Sequence, residues 1–183
     1  MFGIRGLQVV QGYVTENDEA ELMRQIDGSP WDTELSRRRQ QYGYEYNHGG
    51  RNVRTQTRAA PIPDWLRALT ERLVRDKIMN PTPDQVIVNE YVPGQGIAQH
   101  LDCVPCFGPI VVGLSLLAPV VMDFRRQGET IEVPLERRSL VILAEDGRYR
   151  WSHAIAKRTH DTIGNVVVPR RRRVSVTFRT VKR

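Results

Sequence analysis

Two runs of strict alternation set the pattern of this chain, and each predicts a strand with one polar face. Across Val86 to Tyr91, Ile87, Asn89 and Tyr91 project to one side while Val86, Val88 and Glu90 project to the other. Across Arg173 to Arg179, Arg173, Ser175, Thr177 and Arg179 share a face, with Val174, Val176 and Phe178 opposite. Four further segments, Pro109 to Leu117, Val120 to Phe124, Thr130 to Leu135 and Ser139 to Ala144, are short, β-rich and divided by Gly, Pro or charged turns. That spacing predicts a β sandwich or jelly roll. Leu7 to Val14 reads as another strand, after which Thr15 caps a helix through about Ile26, with Asp18, Glu19 and Glu21 near its positive end and Gly28, Ser29 and Pro30 stopping it. Within Pro61 to Met79, Trp65, Leu66, Leu69, Leu73 and Ile78 recur at helical spacing behind Asp64, so a second helix is expected against one sheet face before Pro81 and Pro83 break the pattern. The expected class is mainly β with flanking helices.

Composition narrows this to one domain: 183 residues with 40% hydrophobic content suffice to bury a core. No apolar stretch approaches transmembrane length, and the first residues are broken by Arg5 and several glycines, so the chain is expected to be a cytoplasmic monomer away from membranes. The net charge of +6 is carried almost wholly by arginine, since Lys77, Lys157 and Lys182 are the only lysines. Such an excess suits a phosphate-bearing partner, and equally the plain solubility of a small protein.

The polar faces carry the candidate chemistry. After the turn signal Pro93, Gly94, Gln95, Gly96, His100 and Asp102 stand two residues apart, so in extended backbone imidazole and carboxylate point the same way. His153 in RYRWSHAI is the candidate third ligand of a 2-His-1-carboxylate site, which leaves three positions free on an octahedral iron. Arg173 and Arg179, side by side on one strand face, suit a dicarboxylate, because the guanidinium fork pairs bidentately and keeps its charge when desolvated. His48 and His160 have no spaced partner and are expected in solvated loops. Arg170, Arg171 and Arg172 are expected as a solvated run, with contact to a nucleic-acid backbone as the alternative. Cys103 and Cys106, the only cysteines, cannot build a four-cysteine zinc site and are expected to stay reduced, a redox pair beside Asp102 being the alternative.

The order N-x-Y-x-P-G-x-x-x-x-x-H-x-D, then a distant His, then R-x-S-x-T-F-R, resembles the AlkB family of iron(II) and 2-oxoglutarate-dependent dioxygenases. The resemblance is strong over the C-terminal half and reaches back weakly to Gly43 to Asn47. It implies a double-stranded β-helix with the metal site at its open end. It also implies Fe(II) on His100, Asp102 and His153, the 2-oxoglutarate C1 carboxylate near Asn89 and Arg179, and the C5 carboxylate near Tyr91, Arg173 and Ser175. The implied reaction converts 2-oxoglutarate and O2 to succinate and carbon dioxide while hydroxylating a substrate C–H bond. On an N-methyl group this ends in demethylation, with loss of formaldehyde.

Arg37 to Asn52, RRRQQYGYEYNHGGRN, mixes basic and aromatic residues, and the resemblance implies a nucleotide-recognition lid over about 33–60, centred on Tyr44 with Tyr42 and Tyr46 beside it. Tyrosines would stack on bases and arginines track phosphates; the alternative is a surface hairpin covering the core edge. Repair members of the family commonly carry an acidic base-reading residue where this chain has Val104, which cannot accept a hydrogen bond from a base amino group. GYEYN, VMDF, RRSL and RYxWSH look closer to the subgroup that hydroxylates a modified wobble uridine in tRNA. The expected partner is nucleic acid, alkylated DNA or RNA and possibly tRNA, with a protein or small-molecule substrate as the alternative.

Overall fold

In chain order the first half forms β1 (Leu7–Val10), α1 (Glu16–Asp27), β2 (Arg39–Tyr42), β3 (Tyr44–Asn47), β4 (Asn52–Arg58), α2 (Asp64–Arg75) and β5 (Gln85–Tyr91). The second half forms β6 (Ile97–His100), β7 (Val111–Leu116), β8 (Val120–Arg126), β9 (Glu129–Leu135), β10 (Leu140–Leu143), α3 (Glu145–Tyr149), β11 (Ser152–Ile155), β12 (His160–Ile163), β13 (Val166–Pro169) and β14 (Arg173–Arg179). This computed structural model describes residues 2–34, 36–47 and 52–182. His48 and the Gly49–Gly50 end of the expected lid lie outside the described residues.

The two alternating runs are neighbours. β14 sits between β5 and β7 in a six-stranded antiparallel sheet of order β1-β10-β7-β14-β5-β2, and a four-stranded sheet of order β6-β11-β8-β9 faces it. Alternation decides what each face does. Val86 and Val88 of β5 and Val174, Val176 and Phe178 of β14 pack against Leu22, Met23 and Ile26 of α1 and Leu66, Leu69 and Leu73 of α2. The opposite face meets the smaller sheet, where Tyr91, Val111, Val141 and Leu143 pack with Phe124, Val133, Leu135 and Ile155. The polar residues of β5 and β14 are therefore held between the sheets, in the jelly-roll arrangement expected.

Thr15 forms a full capping box with Asp18, its hydroxyl accepting from the Asp18 amide at 3.1 Å while the Asp18 carboxylate accepts from the Thr15 amide at 2.9 Å. The first strand stops at Val10, short of the expected Val14, because the chain turns at Gly12, whose φ is +60°. Among the described residues no helix is long and apolar enough to cross a membrane.

Two expectations are corrected here. The cysteines form a disulfide, Cys103–Cys106, at a Cα–Cα distance of 5.2 Å. The amides of Cys106 and Phe107 both donate to the Cys103 carbonyl, at 3.2 and 3.1 Å, and this turn folds the two side chains together. Nor are Arg170 and Arg172 solvated. Arg170 grips the buried Asp161 with Nε at 2.7 Å and Nη2 at 2.8 Å and donates from Nη1 to the Ala156 carbonyl at 2.6 Å, while Arg172 bridges Glu90 and Asp27. Their partners come from distant segments, which charge along the sequence does not reveal; Arg171 alone of the three has no such partner among the described residues.

Candidate active site

Pairing of β6 with β11 makes His100 and His153 cross-strand partners and sets their rings 4.4 Å apart between centroids. Asp102 follows just beyond β6, and its Oδ2 lies 3.5 Å from His153 Nε2. One ligand atom from each of the three lies within 4.8 Å of the others. The Nδ1 of His100 donates to the Ala98 carbonyl at 2.8 Å, which leaves the Nε2 lone pair for a metal. Burial pushes the His153 imidazole down to about 4, so it is neutral, and ready to ligate, at neutral pH. Burial pulls the Asp102 carboxyl upward. The Arg179 guanidinium, which donates from Nη2 to Oδ1 at 2.6 Å, and the two imidazoles override that and hold Asp102 well below the usual carboxylate range.

The strand carrying Asp102 is held from behind by a residue that sequence reasoning missed. Arg148 of α3 is 1% exposed and donates to four main-chain carbonyls of one loop: Asp102 at 3.0 Å, Cys103 and Gly108 at 3.3 Å, and Phe107 at 3.4 Å. The segment EDGRYRW reads along the chain only as the approach to His153, and a buried arginine among carbonyls leaves no periodic signal.

A cavity between the sheets opens on the triad, lined by Asn89, Tyr91, Arg173, Ser175, Thr177 and Arg179 and by apolar Val111, Met122 and Leu143. Register accounts for the cluster: Arg173 pairs with Tyr91, and Ser175 pairs with Asn89 on one side and Ser115 on the other. Arg173 is 4% exposed and lies over the Tyr91 ring, 5.4 Å from its centroid. Its Nη2 donates to Ser115 Oγ at 2.7 Å. Its Nε and Nη1 are buried without a hydrogen-bond partner among the described residues. Burial pushes Arg173 down to about 10, which leaves it charged at neutral pH. A buried cation with two idle donors is costly until an anion reaches it. The donor set of two imidazoles and one carboxylate, three ligands with open positions, fits Fe(II), and the idle guanidinium fits a carboxylate.

Beside this cavity lies an open cleft of about 250 Å³ that shares Asn89, His100, Asp102 and Arg179 with it and adds Arg37, Tyr46, Ile87 and Gln99. Of the three tyrosines expected to bind substrate, Tyr46 alone lines the cleft. Tyr42 faces the helix-packed core, edge-on to Trp65 at 6.0 Å, and donates its hydroxyl to Gln40 Oε1 at 3.1 Å. Tyr44 is 5% exposed and packs with the disulfide, Phe107 and Val181. The bend at Gly43, with φ of +82°, carries the chain from the large sheet to the β3–β4 hairpin and sends these rings to different cores.

Residues 6–179 match the model of the 2OG-Fe(II) oxygenase superfamily. An uncharacterized protein of Acanthamoeba polyphaga mimivirus is 35% identical over 181 residues, covering 97% of this chain and 86% of that protein. The tRNA (carboxymethyluridine(34)-5-O)-methyltransferase alkbh8 of Xenopus tropicalis is 34% identical over 167 residues. The chain belongs to the AlkB family of 2OG-Fe(II) oxygenases. It is an Fe(II)- and 2-oxoglutarate-dependent dioxygenase, with O2 as the other cosubstrate. The match takes in 86% of this chain but only 26% of the frog protein, so the AlkB domain here corresponds to one part of that longer relative. The solved structure of OsALKBH1 has the same fold, with a TM-score of 0.74 over 96% of both chains at 16% identity.

Proposed function

We propose that this AlkB dioxygenase oxidises nucleic acid, either demethylating N-alkylated bases of DNA or RNA or hydroxylating a modified tRNA nucleoside. The observation that carries the reading is the open cleft beside the triad, walled by Tyr46 and Arg37 and distinct from the closed cavity that holds Arg173. An aromatic ring and a guanidinium at the mouth suit a base and its charged groups, and a net charge of +6 favours a polyanion. The frog relative, named for a carboxymethyluridine of tRNA, adds support for the tRNA branch.

In this reading His100, Asp102 and His153 hold Fe(II), with Arg179 fixing the Asp102 carboxylate. Arg173 pairs with the C5 carboxylate of 2-oxoglutarate, with Tyr91 and Ser175 beside it, and Asn89 and Arg179 receive the C1 carboxylate. Bound iron with 2-oxoglutarate and O2 supplies the oxidising power for attack on a C–H bond. The protein's own part is orientation: Val111, Met122 and Leu143 exclude water around the cosubstrate, and the cleft sets the target group against the face formed by His100 and Asp102.

The test is incubation with Fe(II), ascorbate, 2-oxoglutarate and methylated DNA and RNA oligonucleotides plus total tRNA, following nucleoside masses and succinate, with His100→Ala as control. A base losing its methyl, or a tRNA nucleoside gaining oxygen, is the expected result. Succinate with no change in any nucleic acid sinks the proposal and moves the search to proteins and small molecules, the direction in which Val104 points.

A further inference from the structure

Arg37, Arg38 and Arg39 are consecutive, and the fold treats them differently. Arg38 pairs with Glu90 and Arg39 with Asp32. Arg37 is held by neutral atoms alone: Nε donates to Asn89 Oδ1 at 3.0 Å, Nη1 to the Gly96 carbonyl at 3.4 Å, and the guanidinium lies 5.3 Å from the centroid of the Tyr91 ring. Among the described residues no carboxylate pairs with it. The Tyr91 ring thus has two guanidiniums against it, neither with a carboxylate partner. Arg173 lines the closed cavity and is absent from the cleft, whereas Arg37 lines the cleft and is absent from the cavity. Two uncompensated cations this close repel, and each is stabilised by an anion of its own. A closed position suits the cosubstrate; an open one suits a group that arrives from solvent and leaves with the product.

We propose that Arg37 is an oxyanion receptor of the cleft, pairing with a charged group of the target nucleotide and so selecting substrate. The inference rests on the nucleic-acid reading above and deepens it. The oxyanion has two possible sources, a carboxylate carried on the base or the phosphate of the target nucleotide, and both match the guanidinium fork. Asn89 sets the reach: it is hydrogen-bonded to Arg37 and shares its wall with His100 and Asp102, so an anion held by Arg37 anchors its nucleotide next to the metal face.

The test uses the full chain held anaerobically with Fe(II) and 2-oxoglutarate, and titrates uridine, uridine 5′-monophosphate and 5-carboxymethyluridine by calorimetry against wild type, Arg37→Gln, Arg37→Met and Arg37→Lys. Wild type is expected to prefer at least one anionic probe to uridine. The two neutral variants are expected to lose about 10- to 100-fold of that preference, as for a charge-assisted hydrogen bond, with Arg37→Lys keeping part of it. A loss confined to 5-carboxymethyluridine assigns the base substituent, and a loss confined to the monophosphate assigns the phosphate. Absence of any anion preference in wild type, its survival in both neutral variants, or an equal fall in 2-oxoglutarate affinity overturns the proposal. Product analysis run in parallel separates the two claims. Oxidised nucleic acid with Arg37-independent binding sinks the Arg37 assignment alone; Arg37-dependent binding with no oxidised nucleic acid sinks the nucleic-acid reading alone.

Discussion

Replacing Arg148 by Met removes a cation from a site where it is 1% exposed and strands the four carbonyls it serves. The contact to Asp102 O, at 3.0 Å, is a full charge-assisted hydrogen bond, while those at 3.3 to 3.4 Å are weaker. A hydrogen bond to a charged group contributes roughly 1.5–3 kcal/mol, and each stranded buried carbonyl costs about 1–3 kcal/mol. Against this, the variant recovers the desolvation cost of a buried guanidinium, the same burial that holds the Arg148 pKa down. With the three long contacts discounted, the balance is a destabilisation of about 2–4 kcal/mol, or roughly 5–15 °C in Tm for a chain of this size. Because the loop released is the one that carries Asp102, metal affinity is expected to fall beyond what unfolding explains. Urea unfolding of the metal-free protein gives the first quantity, and anaerobic Fe(II) titration well below Tm gives the second. Arg148→Lys, which keeps the charge but reaches fewer carbonyls, is expected to restore part of both. Unchanged stability and unchanged Fe(II) affinity in Arg148→Met would refute the reasoning; lost stability with unchanged metal affinity would leave Arg148 as scaffold only.

Arg173→Gln removes the buried guanidinium but keeps a polar group near Ser115; the KM for 2-oxoglutarate is expected to rise about 10- to 100-fold, and an unchanged KM would place the C5 carboxylate elsewhere. His153 has its pKa lowered from 6.5 to about 4 by burial, so the unfolded chain takes up a proton at higher pH than the folded one. Stability of the metal-free protein is therefore full above the ordinary histidine value and falls by about 3 kcal/mol as pH drops from there through about 4. Urea melts across that range should show this slope, and it should flatten in His153→Leu; an equal slope in the variant counts against the burial argument. Asp161→Ala leaves Arg170 buried without its carboxylate and is expected to cost about 3–5 kcal/mol, whereas Arg171→Ala, read by the same melts, is expected to change stability by less than about 0.5 kcal/mol.

The residues of the site were legible along the chain because a strand has a side-chain period of two. Asn89 and Tyr91, like Arg173, Ser175 and Arg179, had to share faces whatever their neighbours, and the valines between them had to face a core. The Thr15 cap and both long helices were equally local, being set by short-range hydrogen bonds and a 3.6-residue period. What the period cannot supply is register. That Arg173 lies against Tyr91 and His100 against His153 follows from antiparallel pairing between segments far apart in sequence. The same limit hid the fates of the charged and aromatic residues: Arg170 and Arg172 found acids elsewhere in the fold, Tyr42 and Tyr44 found separate cores, and Arg148 found the carbonyls of a loop more than 40 residues earlier. Local sequence determined which side chains share a face. Tertiary structure decided which faces meet, because burial is a property of the assembled sheets, and a cation such as Arg173 or Arg37 becomes a binding site only where the fold withholds a carboxylate from it.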